Sequence, residues 1–148
     1  MDKAKTYVVA VIAAFTILFT GCTIESSDNG DLDGFWHLER VDSIQNGSSS
    51  DLAKASLFWS FQAKLMRVTD YKNHNGDFLM RFDHNGSVLR TYDPHENDRA
   101  NGDPAVADAS KLKPFGINGI EDTFRVENLK GSKMVLSTRK LRLTFKKF

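Results

Sequence analysis

From residue 57 onward the apolar positions recur every second residue. Leu57, Trp59, Phe61, Ala63 and Leu65 share one side, and Phe58, Ser60, Gln62, Lys64 and Met66 the other. That alternation predicts a half-buried strand over 57–66. Residues 70–77 (DYKNHNGD) interrupt it with a turn ending in Asn75-Gly76. Phe78, Met80 and Phe82 then alternate with Leu79, Arg81 and Asp83. His84-Asn85-Gly86 signals a hairpin, and 88–92 is the returning strand. Short strands follow at 123–129, 133–137 and 140–146, the first two separated by the tight turn Lys130-Gly131-Ser132. The last places Leu141, Leu143 and Phe145 on one face and Arg142, Thr144 and Lys146 on the other.

Two stretches have no single period. In 34–44, Trp36 and Leu38 share a parity, but Arg40 and Asp42 continue it, and Phe35, Leu38 and Val41 fit a helical spacing equally. We read a strand, because a sheet of this kind closes on its first strand. Residues 93–122 are polar and hold all three prolines, Pro94, Pro104 and Pro114. A short helix is expected to start at Asp103-Pro104 and end before Pro114. A loop this long ordinarily serves as a lid, a partner surface or a flap. Seven or eight short strands joined by tight turns predict an all-β, up-and-down antiparallel barrel with one long loop. Closure removes exposed edges, and eight strands leave room for one small ligand.

The N-terminus has a different pattern. Lys3 and Lys5 precede an uncharged, mostly apolar run, and Thr20-Gly21 leads into Cys22, the only cysteine. A basic segment, an apolar segment and a small-residue exit form a secretory signal. Leu18-Phe19-Thr20-Gly21-Cys22 resembles a bacterial lipobox, in which the cysteine is acylated and becomes the new N-terminus. A membrane span and a plain secretory peptide are the alternatives; Thr16, Thr20, Gly21 and Thr23 dilute the apolar run where a span would continue. The expected organisation is a lipoprotein signal peptide at 1–21, a flexible tether at 22–33 beginning at the lipid attachment residue Cys22, and one barrel domain at 34–148. The expected location is the bacterial cell envelope, lipid-anchored, on the outer membrane at either its periplasmic or its surface face.

Charge then narrows the partners. Removing 1–21 takes away Asp2, Lys3 and Lys5, and the 20 basic and 19 acidic side chains become balanced. No basic footprint for nucleic acid remains. With Cys22 committed to lipid, the domain has no disulfide and no thiolate metal site. The four histidines, His37, His74, His84 and His95, follow no recognisable ligand spacing. There is no Gly-x-Ser-x-Gly motif and no phosphate loop. We therefore expect no enzyme activity, no cofactor and no metal.

The 11 phenylalanines and two tryptophans carry more information. Trp59, Phe61, Phe78, Met80, Phe82 and Phe124 are the candidate lining of an apolar ligand cavity. The competing reading is a core packed by those same large side chains, which short strands favour.

Gly34-Phe35-Trp36 resembles the Gly-x-Trp that opens the first strand of lipocalins. There the tryptophan plugs one barrel end and a basic side chain from a late strand lies across it. The resemblance therefore assigns barrel closure to Gly34, Trp36 and Arg142, with Arg139 the second candidate. Together with FWSFQ at 58–62, FLMRFDHNG at 78–86, LKPFGI at 112–117 and the stretch 133–148, the chain is similar to small lipocalin-like bacterial lipoproteins over nearly all of its mature length. This implies a lipocalin-like barrel and a membrane anchor, with no activity to carry over. The expected partners are the membrane, a small apolar or amphipathic ligand, or an envelope protein docked on the 93–122 loop.

Overall fold

A computed structural model describes residues 27–148. Nine strands run β1 (Gly34–Ser43), β2 (Ser49–Asp51), β3 (Leu57–Gln62), β4 (Leu65–Asp70), β5 (Asp77–His84), β6 (Val88–Glu96), β7 (Asp122–Lys130), β8 (Lys133–Ser137) and β9 (Leu141–Lys147). All pairings are antiparallel. β1 pairs with both β3 and β9, which closes an eight-strand ring and leaves β2 alongside β1 as a ninth strand. The up-and-down order puts the starts of β1 and β8, the end of β9 and the turns at 63–64, 85–87 and 131–132 at one end, here the near end. The hairpins at 44–48, 71–76 and 138–140 and the connection 97–121 lie at the far end.

The strand read as 57–66 is two strands. Ala63 takes a left-handed φ of 52° and, with Lys64, turns the chain so that Gln62 faces Leu65 and Phe61 faces Met66. Directly opposed residues point to the same side of a sheet. Leu65 is therefore 50% exposed and Met66 fully buried, the reverse of the parity expected from unbroken alternation. The turn reverses the chain without interrupting the apolar count, so it left no mark in the pattern.

The strand at β1 is present, and its mixed parity has a cause. Leu38 faces Phe145, but Arg40 faces Thr144, so Glu39 is an extra residue in β1. Such a bulge shifts the inward face by one. Trp36 and Leu38 point in before it, and Val41 packs against the core after it.

In 93–122, β6 runs on to Glu96, and Pro94–Glu96 pair back onto 104–106 through the Glu96 N–H to the Pro104 carbonyl (2.9 Å) and the Val106 N–H to the Pro94 carbonyl (2.8 Å). No helix starts at Asp103. A 3-10 helix occupies Ala109–Phe115, capped by the Asp108 carboxylate accepting from the Ser110 N–H, and Pro114 lies inside it. Pro114 brings no N–H to the helix, and the helix end is closed by the Gly116 N–H to the Lys113 carbonyl (2.9 Å).

Residues 27–33, read above with the tether, pack on the near end. Asn29 Nδ2 donates to the Ala63 carbonyl (2.8 Å), Ser27 accepts from the Ala63 N–H (3.0 Å), and Leu32 is buried. Cys22 and residues 1–21 lie outside the described residues.

Candidate functional site

The barrel interior brings the expected aromatics together. Trp59, Phe61, Phe78, Met80, Phe82 and Phe124 are all buried, at 5% exposure or less. Trp59 is the hub, with ring centroids 5.5 Å from Phe124, 6.3 Å from Phe61 and 4.9 Å from Phe145. Phe61 meets Phe82 edge-on at 5.1 Å. These tilted and T-shaped pairs are the favoured aromatic geometries. Among the described residues these side chains leave almost no surface open to solvent.

At the near end, Trp36 is buried and donates from Nε1 to the Leu32 carbonyl (2.9 Å). The cation over its ring is Lys147, 4.9 Å from the centroid. This corrects the assignment to Arg142 and its alternate Arg139. Arg142 points outward and pairs with Glu127 at 2.8 Å. Lys147 shares the inward parity of Leu143 and Phe145 and stands directly opposite Trp36, so the alternation of the last strand already pointed to it. Gly34 belongs to the same device. Its φ is 117°, and a Cβ there would come within 2.9 Å of Lys147 Cε. Lys147 Nζ also donates to the Asp31 carbonyl (2.9 Å), tying the capping turn to the ring.

At the far end a segment of the long connection goes in where the mouth would be. Leu112, Phe115 and Ile117 are fully buried. Trp59 Nε1 donates to the Phe115 carbonyl (3.1 Å), and the Phe115 ring meets Phe78 at 6.0 Å. Gly116, with φ of 83°, lets the backbone turn against Leu143, whose Cδ2 would lie 2.7 Å from a Cβ. Phe115, Ile117 and Phe145 were missed as site residues. The repeated apolar positions in LKPFGI were visible, but nothing local says that a loop folds inward.

Clefts open on the rim. One of about 720 Å³ lies between the 73–78 hairpin and 96–98, with Lys111 and Pro114 at its edge. Its walls are braced. Asp77 accepts from Arg67 Nε and Nη2 (2.8 and 2.6 Å) and from Asn97 Nδ2 (2.9 Å). Burial pushes the Asp70 carboxyl upward, but N–H groups of Lys72, Asn75 and His74 outweigh it and hold the group below its ordinary value. On the outer wall His95 is held above the ordinary imidazole range by its hydrogen bond to the Asp103 carbonyl and then by Asp93. His84 sits at the opposite end of β5, lowered by burial. The two histidines are not neighbours.

A sequence-family model of a lipocalin-like domain matches residues 17–148. The chain belongs to the lipocalin-like domain family. Two solved structures have the same fold. A lipocalin-like protein from Bacteroides uniformis is 24% identical, with a TM-score of 0.61, covering 80% of this chain and all of its own. An uncharacterised protein from Bacteroides eggerthii is also 24% identical, with a TM-score of 0.60, covering 79% of this chain and 99% of its own. Among curated proteins none matches. For this lipocalin-like domain the comparisons show fold and family.

Proposed function

We propose that this is a lipid-anchored, extracytoplasmic binding protein of the bacterial envelope, attached through Cys22 to the outer membrane, that takes a small apolar or amphipathic molecule at the far end of its barrel. One observation supports this reading: the mouth is closed by a separate segment, 109–117, instead of by the strands themselves. The plug is held by the Trp59–Phe115 hydrogen bond and by apolar contacts. Lifting it exposes Trp59, Phe78 and Phe115 as an apolar surface for a ligand. The site presents buried apolar rings, which suit an apolar molecule.

The test is tryptophan emission during titration with a long-chain fatty acid, a bile acid or a porphyrin, with Trp59→Phe as the control that assigns the change to Trp59 and not Trp36. A saturable change is expected, and Gly116→Ala, which presses on Leu143, should strengthen it by loosening the seat of the plug. If neither the wild type nor G116A responds to any of the three probes, the ligand reading fails.

The buried interior rings and the rim cleft support a second reading, a non-enzymatic interaction module that docks an envelope protein on 93–122. Replacing Asn73, Asn97 and Lys111, which border the cleft, should then abolish capture of that protein from an envelope extract. Capture by the triple variant at wild-type level would sink this reading.

A further inference from the structure

We propose that the outer wall formed by β8, β9, β1 and β3 is a docking face for an anionic lipid surface, so that the domain lies against its membrane instead of swinging freely above it. The proposal rests on the acylation of Cys22 argued above.

Three lysines stand side by side across adjacent strands. Lys130 faces Lys133, and Lys133 faces Lys146. All three are exposed, and among the described residues none has a carboxylate within ion-pair distance. Like charges directly opposed in a sheet are destabilising. An isolated domain gains nothing from this row, whereas an external anion neutralises it. The acids at the same end, Asp28, Asp31 and Asp33, are on the capping segment, and Asp33 is already taken up by Ser27 and Asn29.

The row continues into aromatic residues. Lys146 faces His37, which faces Phe58. Phe35 stacks on Phe58 at 4.7 Å, Tyr71 leans on both rings, and Phe148 meets Phe58 edge-on at 5.7 Å. Tyr71 is 56% exposed and Phe148 86%. Exposed rings beside lysines match the membrane–water interface, where aromatics sit at headgroup level and basic groups meet anionic lipid.

Chain length selects this occupant. Ser27 is fixed to the near end through Ala63, and Cys22 is five residues before it. A fully extended chain of that length reaches about 18 Å. The lipid therefore holds the near end within a short distance of the headgroups, where electrostatic attraction acts over about 10 Å at 0.1 M salt.

The experiment uses the full acylated chain in vesicles. With Cys22 occupied by lipid, a single introduced cysteine is the only thiol available to a dye. Ser132→Cys labels the proposed face and Ser87→Cys the opposite wall at the same end of the barrel, both exposed, and energy transfer to a headgroup acceptor reports their distances. In vesicles containing phosphatidylglycerol, S132C should transfer severalfold more than S87C. The gap should shrink in pure phosphatidylcholine, in high salt, and in the K133E/K146E background. Equal transfer from both positions in anionic vesicles overturns the docking face, as does a gap that ignores both salt and charge reversal. Mass spectrometry of the N-terminal peptide reads the anchor separately: a chain without acyl groups overturns the anchoring, whereas an acylated chain with equal transfer overturns only the docking.

Discussion

Arg142 and Lys147 differ in parity, and parity decides which one reaches Trp36. A cation over a tryptophan ring contributes about 0.5–2 kcal/mol depending on desolvation. Lys147 adds a charged hydrogen bond to the Asp31 carbonyl. Lys147→Ala should therefore lower stability in urea unfolding by about 2 kcal/mol. Arg142→Ala removes an exposed pair and should cost less than about 1 kcal/mol. Equal effects would refute Lys147 as the closing cation. Asp70 is the second test at this scale. Its folded pKa is depressed, so its stabilisation is fully present above its ordinary value of 3.8. That contribution is lost as pH falls through the folded value. Asp70→Ala should cost about 2 kcal/mol at neutral pH, because a carboxylate accepting several N–H groups is removed. The cost should shrink in acid, as seen by comparing thermal melts of the two proteins from pH 6 downward. An unchanged difference at low pH would show that Asp70 does not titrate with folding.

At the scale of elements, the departures from simple alternation come from one-residue events. The turn at Ala63 and the extra residue Glu39 each reverse which side chains point inward. The pair Leu65 and Met66 tests the first directly. Leu65→Lys should leave stability within about 0.5 kcal/mol, since the side chain is at an exposed position. Met66→Lys should prevent folding or cost more than about 4 kcal/mol, because it buries an unpaired charge. The opposite outcome would restore a continuous strand over 57–66. The plug is the other element that local reading missed. Its burial depends on Trp59 and Phe78, far away in sequence, and no pattern within 109–117 records that partner. Phe115→Ala should cost about 3–5 kcal/mol, the range for truncating a buried aromatic. A much smaller loss in urea would mean that the plug is seated loosely.

For the whole molecule, closure of β1 on β9 joins the two ends of the described chain. Stability should then grade from ring to rim. Amide exchange is expected to be slowest in the paired strands β3, β4, β8 and β9, intermediate for Gly116 and Ile117, whose N–H groups bond back to Lys113 and Leu112, and fastest at 98–102. Exchange of the plug as slow as β3 would argue against any lifting of 109–117. The sequence alone determined the class: alternating apolar residues, hairpin signals and Gly34-Phe35-Trp36 were enough for a closed antiparallel barrel of the lipocalin-like kind, and for the aromatic positions that share its interior. Those features are local, because strand period and turn chemistry are properties of neighbouring residues. What only the tertiary structure decided was which cation covers Trp36, where the bulges reverse a face, and that the long connection fills the mouth. Each depends on residues distant in the chain coming within a few ångströms, and a linear pattern does not encode that distance.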